Sequence, residues 1–118
     1  MGKWVAVGGE SMLADGAMAE VQVEGEAVLV ARVGGRYYAT QGKCPHMGSK
    51  LANGKLEGKV ITCKWHHSQF DLADGRNIVW APALPAVGRA VTDLWTQARP
   101  LRVYPTKVEN AQVWVELG

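Results

Sequence analysis

Apolar residues alternate with other residues over much of the chain, a period that is typical of half-buried β-strands. Two segments around Gly25 have this period and predict a hairpin. Their alternating valines are Val21, Val23, Val28 and Val30. The pair Gly34-Gly35 separates residues 28–33 from residues 36–40 and predicts a second hairpin, because glycine supplies the positive φ angles of a two-residue turn.

The C-terminal part of the chain predicts a third hairpin. Residues 103–108 and 111–117 flank the turn Glu109-Asn110, and Trp114 lies on the face opposite to the neighbouring apolar residues. Those apolar residues are Val113, Val115 and Leu117. A turn or two of helix is expected only at residues 91–98, where Thr92 or Asp93 could cap it. The predicted fold class is therefore all-β.

The middle of the chain, residues 42–76, is rich in glycine and lysine and too broken for long strands or helices. We expect it to form loops on the β scaffold. No internal repeat or linker divides the 118 residues, so we predict a single domain over residues 1–118.

Composition excludes several classes of function. Hydrophobic residues make up 47% and charged residues 20%, as in ordinary globular proteins. No apolar run approaches the roughly 18 residues of a membrane span, and the N-terminus does not resemble a secretory signal. The net charge of +2 is too small to favour nucleic acid as a partner. We expect a cytoplasmic protein that binds neither membranes nor nucleic acid.

Cysteine and histidine are confined to one stretch of the chain. The two cysteines are Cys44 and Cys63, and the three histidines are His46, His66 and His67. A disulfide between the cysteines is one interpretation. The reducing cytoplasm disfavours it, and a domain of this size does not need one.

The alternative is a metal site made from two short segments. Cys44 and His46 form the first pair, and Cys63 and His66 form the second. Zinc would accept such a set, although zinc fingers usually place two cysteines on one arm and two histidines on the other. With one of each on two loops, the cysteines can bind one iron and the histidines the other iron of a two-iron, two-sulfur cluster.

The spacing Cys-x-His, sixteen intervening residues and Cys-x-x-His resembles that of the Rieske iron–sulfur family. Five residues around the two pairs also agree with the family: Pro45, Leu51, Phe70, Asp71 and Gly75. The predicted strands are similar to the family's antiparallel β fold over nearly the whole chain. The resemblance implies an antiparallel β-sandwich with a small inserted cluster-binding subdomain, and one [2Fe-2S] cluster. It also implies that Cys44 and Cys63 bind the inner iron, and that His46 and His66 bind the outer iron through Nδ1.

Departures from the respiratory and photosynthetic members indicate a branch of the family. Those members have an extra cysteine in each loop, where this chain has Ser49 and Trp65, and a tyrosine where it has Phe70; Ser68 retains the companion hydroxyl. The loss of a hydrogen-bond donor predicts a potential near the low end of the Rieske range, roughly −150 mV. The sequence thus resembles a Rieske-type ferredoxin, which carries electrons from a reductase to a ring-hydroxylating oxygenase and is not an enzyme alone. A small Rieske subunit of a larger oxidoreductase such as nitrite reductase is the alternative, and a zinc-binding structural module is a more distant one.

Three further features concern partners. Five lysines and the single acid Glu57 lie between residues 43 and 64. The lysines are Lys43, Lys50, Lys55, Lys59 and Lys64. This excess predicts positive charge at the end of the protein that holds the cluster, which either attracts acidic partners or is simply solvated. His67 stands where Rieske domains more often have glycine, and we expect it to influence docking or proton uptake. Residues 87–99 look like an insertion that either contacts a partner or packs onto the scaffold.

Overall fold

The computed structural model describes residues 2–44, 50–64, 68–79 and 100–117. Over these ranges the chain forms eleven strands and one short 3₁₀ helix. They are β1 (Lys3–Gly9), β2 (Met18–Val23), β3 (Glu26–Val33), β4 (Arg36–Gln41), the 3₁₀ helix (Leu51–Asn53), β5 (Lys55–Glu57), β6 (Val60–Thr62), β7 (Gln69–Asp71), β8 (Asn77–Val79), β9 (Val103–Tyr104), β10 (Thr106–Glu109) and β11 (Gln112–Leu117). The predicted helix at 91–98 and the apparent insertion at 87–99 lie outside the described residues.

The strands form three antiparallel sheets. The terminal sheet has the order β1-β11-β10, the central sheet β2-β3-β4-β9, and the site sheet β5-β6-β7-β8. Each strand of the site sheet has only three residues. β5, β6 and β7 lie within residues 42–76, where loops are predicted, and β8 directly follows that segment. In the described ranges no helix is long and apolar enough to cross a bilayer.

The first two predicted hairpins are confirmed. β2 and β3 pair with Val21 opposite Val28, and their turn has positive φ angles at Glu24 (51°) and Gly25 (82°). β3 and β4 join through Gly34-Gly35, with φ angles of 61° and 79°. Two consecutive positive φ angles are typical of the tight turns whose twist matches antiparallel strands.

The third predicted hairpin is present with two corrections. Its turn lies at Asn110-Ala111, with φ angles of 54° and 59°, one residue later than predicted. The segment 103–108 is not one strand: β9 pairs with β4 of the central sheet, and only β10 pairs with β11. Pro105 separates the two strands, since it has no N–H to continue a ladder.

Strand β3 differs from the predicted half-buried strand because both of its faces are covered. Val28 and Val30 belong to a core cluster shared with the terminal sheet, and Leu29 and Ala31 belong to a second cluster on the opposite face. The second cluster contains Leu51, Ile61, Phe70, Leu72 and Leu101 together with both cysteines. The central sheet is therefore the middle layer, and the site sheet packs on one side of it.

Candidate metal centre

The first predicted ligand loop is closed at its base by backbone pairing. The Leu51 N–H donates to the Gly42 carbonyl at 3.0 Å, and Lys43 forms an isolated antiparallel bridge with Lys50. The Gly42 N–H donates to the Ala27 carbonyl at 2.9 Å, which attaches this base to the start of β3. Cys44 is the first residue beyond the closure. The central sheet therefore fixes where the loop leaves the scaffold.

The second loop has the same construction. The Cys63 N–H donates to the Ser68 carbonyl at 2.8 Å, and the next residues outward from the loop, Thr62 and Gln69, are paired between β6 and β7. The Gln69 amide also donates to the Thr62 hydroxyl at 3.3 Å. Cys44 thus directly follows a backbone-paired residue and Cys63 makes such a hydrogen bond itself, which limits the movement of the backbone at both cysteines.

The two cysteines share one buried environment. Cys44 is 2% exposed and Cys63 is 0% exposed, and both lie in the cluster that contains Phe70 and Leu72. The structure joins them by no disulfide, which contradicts the disulfide interpretation. The structure thus brings together two of the four predicted ligands in one buried environment. His46, His66 and His67 lie outside the described residues, and the ligand roles of both cysteines and of His46 and His66 stay predictions.

Two glycines allow close approaches around the site. A Cβ atom on Gly54 would lie 2.0 Å from the Thr62 carbonyl oxygen, so the end of the 3₁₀ helix can rest against β6 only without a side chain there. A Cβ atom on Gly75 would lie 2.1 Å from the Leu101 carbonyl oxygen. The role of Gly54 was missed from the sequence, where the only signal was the turn-forming dipeptide Asn53-Gly54.

The positive charge at the cluster end is divided unevenly. Lys50 lies 3.9 Å from the Glu20 carboxylate, and Lys55 lies 3.8 Å from the Glu57 carboxylate. The other three lysines of this group have no carboxylate within 4.0 Å in the part of the chain that the structure describes. They are Lys43, Lys59 and Lys64. The uncompensated charge therefore lies at the flanks of the two cysteines and at the turn between β5 and β6.

Comparison with known proteins identifies the family. The model for the Rieske [2Fe-2S] domain matches residues 3–105. The chain belongs to this family. Membership implies a [2Fe-2S] cluster, and the predicted antiparallel fold and the electron-carrying role of a Rieske protein are confirmed. The zinc module is no longer needed as an explanation.

Related Rieske proteins match over almost their whole length. The ferredoxin component of the naphthalene 1,2-dioxygenase system of Pseudomonas putida is 30% identical over 116 residues, which are 98% of this chain and 97% of the relative. The ferredoxin component of biphenyl 2,3-dioxygenase of Rhodococcus jostii is 35% identical over 105 residues, which are 89% and 84% of the two chains.

Solved structures have the same Rieske fold. A chain in the complex of reduced oxygenase and oxidised ferredoxin of carbazole 1,9a-dioxygenase is 27% identical, with a TM-score of 0.75 over 95% of this chain and 91% of that chain. The ferredoxin of carbazole 1,9a-dioxygenase from Nocardioides aromaticivorans has a TM-score of 0.79 over 98% and 99% of the two chains. At 24% identity, the latter supports the fold alone.

The described residues fit the thiolate half of a Rieske cluster. Two buried thiols on adjacent closed loops supply the soft ligands that iron–sulfur clusters require. When bound, such a cluster takes up and releases one electron. Cys44 and Cys63 would be its thiolate ligands, in a buried environment that includes Phe70 and at positions next to backbone hydrogen bonds.

We expect Phe70→Tyr to raise the reduction potential. A phenolic hydroxyl would add a hydrogen-bond donor beside the site, and a hydrogen bond to a charged group contributes about 1.5–3 kcal/mol. For a one-electron couple this corresponds to about 65–130 mV. Ser68→Ala is expected to lower the potential, because it removes the hydroxyl that the chain retains. Redox titration followed by EPR checks both variants. Equal potentials in proteins with equal cluster content would show that neither position controls the potential.

Proposed function

We propose that this protein is the ferredoxin component of a ring-hydroxylating dioxygenase. It carries single electrons on one [2Fe-2S] cluster from a reductase to a terminal oxygenase. The observation that carries the proposal is the near-complete match to ferredoxin components of dioxygenase systems, covering 98% of this chain and 97% of the relative. By contrast, a match to a carbazole 1,9a-dioxygenase terminal oxygenase covers only 29% of that protein.

In this proposal, Cys44 and Cys63 bind the inner iron, and His46 and His66 bind the outer iron. The burial of both cysteines supports the first assignment, because an iron bound there is shielded from water. The spacing of the two histidines from the cysteines supports the second. The proposal includes a cytoplasmic location, because thiol ligands stay reduced in that compartment.

Reconstitution tests the proposed function. The purified protein should be red-brown, contain two irons per chain, and after reduction give an EPR spectrum with a mean g value below that of the free electron. It should then restore electron flow between a ring-hydroxylating dioxygenase reductase and its terminal oxygenase, while the apoprotein should not.

A colourless, zinc-loaded protein would contradict the cluster assignment. A holoprotein that purifies as a firmly bound subunit of a nitrite reductase would contradict the role of a separate carrier. Native-mass measurement in cell extract distinguishes these states, since a separate carrier migrates as a small protein.

A further inference from the structure

A hollow of about 280 Å³ lies directly beside the second predicted loop. Its walls come from the end of the 3₁₀ helix, the start of β5 and the segment that follows β6. The residues are Asn53, Gly54, Lys55, Thr62, Cys63 and Lys64. Cys63 contributes to the wall although its own surface is 0% exposed, so a group that enters the hollow lies next to a residue that is predicted to bind the cluster.

Two lysines flank this hollow. Lys55 pairs with Thr62 across the β5–β6 hairpin, and Lys64 follows Thr62 by two residues. The Lys55 side chain is 73% exposed, and its contact with Glu57 is 3.8 Å between two exposed groups, which stabilises little and leaves the ammonium available. In the described ranges Lys64 has no carboxylate within 4.0 Å. The rim of the hollow therefore carries uncompensated positive charge.

The combination of charge and shape indicates what would bind there. Exposed ammonium groups around a concavity attract carboxylates, raise the rate of encounter and fix the orientation of an acidic partner. The wall is mainly apolar, so one apolar side chain of the partner can fill the concavity while its carboxylates meet the lysines. Protein interfaces have the same arrangement, with an apolar centre surrounded by a polar rim.

We propose that Lys55, Lys64 and the hollow between them form the docking surface for a redox partner whose contacting surface carries aspartate and glutamate. This inference rests on the proposed function, because it assumes that electrons pass through a cluster beside Cys63. Because Cys63 and Lys64 line the hollow, a partner seated there lies beside a predicted cluster ligand, and electron-transfer rates are highest at such short separations.

Charge reversal with the holoprotein tests the proposal. The variants are Lys55→Glu, Lys64→Glu and the double variant, and Lys59→Glu is the matched control. Lys59 also has no carboxylate within 4.0 Å among the described residues. It lies beyond the opposite end of the same hairpin, on the order of 10 Å from the hollow. All single variants change the net charge equally, so only position differs.

The readout is the second-order rate of oxidation of the reduced protein by two inorganic acceptors. With anionic hexacyanoferrate(III), the double variant is expected to react about tenfold more slowly than the wild type at low salt, and the difference should shrink as salt rises. With cationic hexaammineruthenium(III) the order should reverse. At about 0.1 M ionic strength, where charges are screened over about 10 Å, Lys59→Glu should change either rate less than Lys64→Glu does. Equal effects of Lys59→Glu and Lys64→Glu would overturn the proposal. The rates would then depend on the net charge of the protein and not on charge beside the hollow.

A protein acceptor provides the second arm of the test. The terminal oxygenase used in the reconstitution is coupled to the holoprotein with a carbodiimide, which joins lysine amines to carboxylates. Lys64→Arg should keep the transfer rate but lose the cross-link at that position. Cross-links that map only to other lysines would overturn the docking assignment. If the wild type holds a cluster and reduces the oxygenase, and the Glu variants are equally active, only the docking proposal fails. A wild type without a cluster contradicts the proposed function instead.

Discussion

Replacing Gly75 with alanine is expected to destabilise the protein by roughly 2–6 kcal/mol. Gly75 has a φ angle of 78°, where an L side chain is strained, and a Cβ atom there would lie 2.1 Å from the Leu101 carbonyl oxygen. The backbone cannot simply yield, because the Gly75 N–H donates to the Asp71 carbonyl at 2.7 Å and the Leu101 N–H donates to the Gly75 carbonyl at 2.8 Å. The alanine variant must therefore break at least one of these bonds.

The loss should extend to the metal site. Leu101 is 3% exposed and belongs to the same core cluster as Cys44 and Cys63. A displaced Leu101 would open this hydrophobic core to water on the side where β9 pairs with the central sheet. We therefore expect Gly75→Ala to lower cluster retention as well as the unfolding temperature.

Gly25 is a control that separates the backbone strain of a positive φ angle from the steric clash of an added Cβ atom. Gly25 has a φ angle of 82°, but nothing lies within 4 Å of a Cβ atom placed there. Gly25→Ala should therefore show only the strain, about 1–2 kcal/mol. Thermal unfolding of both holoproteins, with iron content measured afterwards, makes the comparison. Equal shifts in the two variants would contradict the role assigned to Gly75.

The turns were predictable because their chemistry is local. Gly25 and Gly34-Gly35 supply positive φ angles at positions that the alternating apolar pattern already marks as strand ends. The third turn was misplaced by one residue because Asn110-Ala111 has no glycine, and any of several adjacent pairs could have formed it. Local sequence likewise did not show that β9 would leave the C-terminal hairpin for β4.

Contacts between distant parts of the chain could not be predicted from the pattern. The meeting of Gly75 with Leu101 depends on three-dimensional packing, and so does the second covered face of β3. The cysteines were predictable as a pair because their spacing with histidines matches a known family, not because periodicity places them together. The lysine-rich window was visible in the sequence, but only the fold shows that Lys55 and Lys64 flank one hollow while Lys50 lies beside Glu20.

Replacing Cys63 with serine is expected to abolish the cluster. A serine hydroxyl remains protonated at neutral pH, whereas iron–sulfur clusters are held by thiolates, so one position on the inner iron would lose its ligand. The position is 0% exposed, so the shorter serine side chain would lie in the apolar core without the sulfur that the cluster needs.

The expected result for Cys63→Ser is a colourless protein with less than about a tenth of the wild-type iron, without the reduced-state EPR signal. Stability should also fall, because metal binding contributes to folding when the site forms only in the folded chain.

Thr62→Ser is the matched control. It alters the adjacent residue but keeps the hydroxyl that accepts a hydrogen bond from Gln69, and it should retain the cluster. Cys44→Ser should behave like Cys63→Ser, since both cysteines lie in the same hydrophobic core and each stands at the base of its predicted ligand loop. A Cys63→Ser protein with wild-type iron and an unchanged g value would show that the inner iron is bound elsewhere, and would remove the assignment of the buried cysteines on which the proposed function depends.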